Sequence, residues 1–134
     1  MVGVLGLAFS GAVSEWLGGI GLGIALLGRV VFVVAEIHSS IIVDESILQP
    51  VGALITAVGM TLVGIAVLRT GRWGGWQRFT PLLVGVYPFV VMFPFVIVTG
   101  EPNIVAISGW GLPWFLLGYA IWSSVAAERP SRVR

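Results

Sequence analysis

The sequence predicts an all-α membrane protein, a bundle of four transmembrane helices, and three observations predict it. Hydrophobic residues make up 57% of the 134-residue chain and charged residues only 10%, a balance too apolar for an ordinary soluble domain. The charges fall mostly between apolar runs of roughly 20 residues, the length a helix needs to cross about 30 Å of hydrocarbon at about 1.5 Å per residue. The apolar–polar alternation of a membrane barrel strand is missing from "GALITAVGMTLVGIAVL" and "PLLVGVYPFVVMFPFVIV".

The spans are placed at about 17 to 38, 50 to 69, 80 to 99 and 104 to 124, with boundaries read from Trp16, Gln49-Pro50, Thr80-Pro81 and Glu101-Pro102. No internal repeat or low-complexity linker divides them, so residues 1–134 form one integral membrane domain. Ahead of the first span, "MVGVLGLAFSGAVSE" is apolar but too short to cross, and it has no basic leader of the secretory kind. Three readings stay open for it: an interfacial or re-entrant helix, a frayed extension of the first span, or the stump of a further span behind a misplaced start codon.

The first span is dense in small residues, and Gly19 with Gly23 forms the GxxxG spacing that lets helix backbones approach closely in lipid. That pair is expected to pack, within the bundle or between two copies. The same span carries Arg29, Glu36 and His38. At about 100° per residue, Arg29 and Glu36 share one face two turns apart, while His38 lies opposite Arg29. An arginine near mid-membrane costs roughly 2.5 to 3.5 kcal/mol on insertion scales, so it must turn to the bundle or to water. Glu36 is the expected counter-charge, directly or through waters and Thr56, Thr61 or Tyr87. The pair serves as a structural ion pair or as part of a proton or solute pathway; a register shifted to about 9 to 28 would instead put Arg29 at an interface.

Nothing in "EIHSSIIVDE" assembles into chemistry. Glu36 and His38 point away from one another on a helix, and Ser39, Ser40, His38 and Asp44 have no nucleophile elbow around them. Cysteine is absent. No catalytic residue, metal ligand or cofactor is therefore expected.

On the second span, Ala53, Ala57 and Thr61 recur at intervals of four and suit close packing. The connection "GRWGGWQRFTP" that follows places Arg72, Trp73, Trp76 and Arg78 as interfacial anchors at the headgroup layer, with Gly71, Gly74 and Gly75 permitting a tight turn. Thr80-Pro81 is expected to open the third span as cap and first-turn proline. Within that span Pro88 and Pro94 free the carbonyls of Val84 and Val90 and predict a kink. In the fourth, the spacing of Trp110, Trp114 and Trp122 predicts a shared aromatic face.

The net charge of +1 is too small to suggest nucleic-acid binding. Arg69, Arg72 and Arg78 share one side with Arg129, Arg132 and Arg134, and Asp44, Glu45 and Glu101 fall on the other. Excess arginine marks the cytoplasmic side, so both termini are expected in the cytoplasm and the chain in the cell membrane, multi-pass. The lipid bilayer is its first partner.

The stretch "GMTLVGIAVLRTGRWGGWQRFTPLLVGVY" followed by "GWGLPWFLLGYAIW" resembles a group of small, uncharacterised integral membrane proteins of high-GC actinobacteria, over roughly Pro50 to Ser123. In that group a "GIAxLRxGRW" helix end precedes a "WxRxxPLLxG" helix start. The resemblance implies a multi-helix membrane protein and brings no activity with it. The expected function is that of a non-enzymatic accessory or interaction protein, with a membrane-protein partner or as a small homo-oligomer. The alternative is a small permease-like or proton-conducting protein that uses Arg29 and Glu36.

Overall fold

A computed structural model describes residues 2–9, 16–41, 48–101 and 103–128. The chain is all-α: α1 (Val2–Phe9), α2 (Trp16–Ile41), α3 (Leu48–Thr70), α4 (Thr80–Tyr87), α5 (Phe93–Thr99), α6 (Ile104–Gly109) and α7 (Gly111–Glu128). A 3₁₀ turn, Gln77–Phe79, leads into α4, and a π-helical turn, Pro88–Met92, joins α4 to α5. Among the described residues, four stretches are long and apolar enough to cross a membrane: Trp16–His38, Gln49–Thr70, Gln77–Thr99 and Ile104–Ala126. These coincide with the four expected spans to within a few residues, and the protein is a multi-pass membrane protein.

The second span is the hub. Within the bundle 56% of its apolar window is buried, against 22%, 17% and 28% for the first, third and fourth. Its faces are kept narrow so that neighbours can approach, because lipid offers no hydrophobic drive and helices associate by dispersion across close backbones. A Cβ placed on Gly21 or Gly28 of α2 would collide with α3 at Gly59–Val63 or Thr56, and one on Gly52 or Gly59 of α3 would collide with Phe32 or Ala25. On its other side α3 meets α4 the same way, Gly64 against Leu82 and Gly85 against Thr61.

The close approach does not use Gly19 and Gly23. A Cβ on either would meet nothing, and both lie on the exposed face of α2. The seam runs instead through Gly21, Ala25 and Gly28, about 160° away from Gly23 at 100° per residue. A GxxxG pair marks a helix face fit for contact, but which face meets the neighbour is decided by the rest of the helix.

Two further expectations are corrected at the connection between α3 and α4. Gly71 (φ 62°) and Gly75 (φ 60°) both take left-handed backbone, which side-chain-bearing residues rarely adopt. The loop doubles back between them and turns Trp73 into the end of the bundle, where it is 6% exposed and joins the core with Val63, Val67 and Val84. Trp73 is thus a core residue and not a headgroup anchor, whereas Arg72, Trp76 and Arg78 are exposed. Thr80 is not an N-cap: its hydroxyl donates back to the Gln77 carbonyl at 2.8 Å, and the span begins a turn earlier in the 3₁₀ segment.

α1 packs against α7 and α2. Val4 is fully buried in the core cluster, and Gly3 and Gly6 lie beside Trp114 and Ile121. Eight residues span about 12 Å, so α1 by itself does not cross the bilayer. How it joins α2 involves residues 10–15, outside the described residues.

Candidate intramembrane site

Arg29 sits just past the middle of the first span, Trp16–His38. Its position on α2 places it at the flank of the glycine seam, turned toward α7, where it spans the gap between the two helices. The guanidinium carbon lies 4.5 Å from the centroid of the Trp114 ring and 5.7 Å from that of Trp110. An indole face is the best aromatic partner for a cation, and the attraction strengthens where water is excluded. The two rings meet edge to face with centroids 6.0 Å apart, so they form a corner into which the cation fits. Arg29 Nε and Trp114 Nε1 are both buried and, among the described residues, have no hydrogen-bond acceptor.

Trp110 is the centre of this arrangement. It occupies the turn between α6 and α7, where Gly109, Gly111 and Pro113 interrupt the fourth span; Pro113 has no N–H to give the carbonyl one turn earlier. The indole Nε1 donates to the Val84 carbonyl at 2.9 Å in the interior. That is the carbonyl which Pro88 frees, so the ring supplies the missing donor. Pro88 opens the π-helical turn, closed by the Phe93 N–H donating to the Pro88 carbonyl, and the expected kink takes this form. Tyr87 donates to the Ala106 carbonyl at 3.1 Å and fixes α6 against the same bend.

The threonines proposed around Arg29 bond along their own helix. Thr56 donates to the Gly52 carbonyl and Thr61 to the Ala57 carbonyl, each at 2.8 Å along α3. Glu36 and His38 are exposed near the end of α2. The aromatic set of the fourth span divides: Trp110 and Trp114 face Arg29, while Trp122 is 66% exposed and packs its ring on Tyr119. At the arginine end Trp76 stacks on Tyr119 at 6.1 Å, Arg78 covers Phe79 at 4.8 Å, and Gln77 donates to Ser123 at 2.8 Å. Asp44, Glu45, Arg129, Arg132 and Arg134 lie outside the described residues, as do the side chains of Ser39 and Ser40.

On the far side of Trp110 from the arginine end, the bend of the third span leaves a cavity of about 320 Å³. Phe32 of α2, Ala53 of α3, Met92 of the π turn and Ala106 of α6 contribute to its walls, and Trp110 and Pro88 also line it. Gln49 and Asn103 are its polar lining residues, both at helix starts. The residues alone did not announce it, because it forms where the π turn meets α6 and the break at Trp110, with α3 as a further wall, in the packed bundle. Comparison with family models, curated proteins and solved structures finds no match for this chain.

Proposed function

We propose that this chain is a non-enzymatic interaction protein of the cell membrane, an accessory subunit or a small homo-oligomer, oriented with its arginine end in the cytoplasm. One observation carries the reading: Arg29. A conducting path needs polar groups in series, yet the groups gathered on Arg29 are indole faces, and the neighbouring cavity is apolar almost throughout. Arg29 as a whole is only partly buried, and a mid-membrane guanidinium resting on indole faces is a cation that an acceptor carried by another chain, such as a carboxylate on a partner's helix, would pair with. The outward apolar faces of α2 and α7 flank it, with Leu27, Val30, Leu112 and Phe115 all exposed.

Two measurements test this. Isolated in mild detergent, the parent should retain a stoichiometric companion or self-associate, and Arg29→Met should lose it, eluting as a smaller but still monodisperse species of unchanged thermal stability. In proteoliposomes the parent should show no pH-dependent flux; a flux that Arg29→Met or Glu36→Gln abolishes would establish the conducting alternative. Reporter fusions after Gly75 should read cytoplasmic and those near Asn103 external, as the distribution of Arg69, Arg72 and Arg78 against Glu101 requires.

A further inference from the structure

The cavity beyond Trp110 is separate from the arginine corner, since Arg29 does not line it. We propose that it is the seat of one lipid acyl chain, whose head is held at the mouth by the carboxamides of Gln49 and Asn103. Four features define the occupant, and none of them depends on the partner reading above.

Size comes first. The volume of about 320 Å³ is near the lower end of ligand pockets, about 300 to 1,000 Å³. A partner helix, about 10 to 12 Å across with side chains, does not enter it; a single flexible chain does. Its shape agrees, because the wall from Pro88 to Val96 runs about 12 Å along the bent span at about 1.5 Å per residue.

Chemistry comes second. Apolar side chains form the depth of the cavity, and the Trp110 N–H at its floor is already engaged by Val84. Hydrocarbon is the matching ligand, since a polar solute there would lose its water without gaining partners. At the mouth, Asn103 Oδ1 accepts from the Val105 and Ala106 amides at 2.9 and 3.3 Å. This capping pins the side chain and commits its oxygen, leaving the Nδ2 group as a donor for an ester or phosphate oxygen.

The surroundings supply the third feature. Ile97, Val98, Ile104 and Val105, 75% to 84% exposed, flank the mouth on α5 and α6 and are among the most exposed apolar residues of the chain. Such a rim lies in lipid, so the molecule at the threshold of the cavity is a lipid. Fourth, the mouth is at the ends of two spans, Gln49–Thr70 and Ile104–Ala126, which puts the head at the membrane surface and the chain pointing inward.

The experiment uses the full chain in bilayers of phosphatidylcholine that include a fraction carrying a photoreactive diazirine near the end of one acyl chain. After illumination and digestion, adducts are expected on the segments holding Ala53–Leu54, Met92–Phe93 and Ala106–Ile107, in addition to those on the outward residues. Replacing Ala53 and Ala106 together by Phe fills the space and should lower the cavity adducts severalfold, with adducts on Ile97 and Val98 unchanged. Met92→Trp, which fills it from the opposite wall, gives the same readout should the double variant fail to fold. Adducts confined to outward positions in the parent would overturn the proposal, and so would cavity adducts that neither filling variant reduces.

Discussion

The two seams of α2 are built on opposite plans. Against α3 it presents Gly21, Ala25 and Gly28, and the facing helix answers with Gly52, Thr56 and Gly59, so the two backbones nearly touch. Toward α7 it presents Arg29, and the answer is a pair of indoles. In the first seam the attraction is dispersion summed over close main chains, which works only while every interfacial side chain stays small. In the second, long side chains bridge a gap that backbones do not close, and a cation is held against ring faces. The difference teaches where this membrane bundle is rigid and where it has room: the glycine seam fixes the pair α2–α3, and the space for a buried charge and a cavity lies where α6 and α7 stand off.

Breaking the glycine seam should have the largest effect. Gly28→Leu or Gly59→Leu places a branched side chain where even a Cβ has no space, and a loss of about 3 kcal/mol or more is expected. Thermal unfolding in detergent and the yield of monodisperse protein measure it. A parent-like melting profile for Gly59→Leu would show that the seam opens readily.

The next effect sharpens the comparison from the other seam. Trp110→Phe keeps the ring but removes the donor to Val84, so a buried carbonyl freed by Pro88 loses its partner at a cost of about 1 to 3 kcal/mol. Adding Pro88→Ala returns a backbone N–H to that carbonyl. The double variant should therefore be less destabilised than the sum of the two single changes, and strict additivity would separate the proline from the indole.

A smaller effect is expected at the cation. Trp114→Leu removes the nearer ring and should destabilise by about 0.5 to 2 kcal/mol beyond the packing change, while Arg29→Met, which removes the buried charge itself, should be neutral or stabilising. Chemical denaturation of the two variants side by side checks the order; Arg29→Met falling below Trp114→Leu would mean that the charge holds the seam by something other than the rings.

The smallest effect belongs to the exposed glycines. Gly19→Leu with Gly23→Leu should leave monomer stability within about 0.5 kcal/mol, because nothing lies within 4 Å of either Cβ position. Cross-linking of the same variant in membranes reads whether that face meets a second copy.

How much of this was legible in the residues alone follows from the physics of each signal. The spans were, since a bilayer imposes a length and a polarity on any segment that crosses it, and residues such as Gln49-Pro50 and Glu101 mark their ends. The special standing of Arg29 was legible for the same reason, an ionised group among apolar neighbours. The bend at Pro88 was too, because a missing N–H is a local fact.

Tertiary structure decided which glycines pack, what covers Arg29, and whether Trp73 faces headgroups or core. Each depends on a helix's rotation about its axis or on where a loop sends its chain, and the small-residue pattern of α2, with glycine at 18, 19, 21, 23 and 28, is compatible with several rotations. The meeting of Trp110 with the carbonyl that Pro88 releases joins positions in two different spans. Both halves of that bond were visible in the sequence as an indole donor and an orphaned acceptor, but only the packing of α6 and α7 on the bent third span could bring them to 2.9 Å.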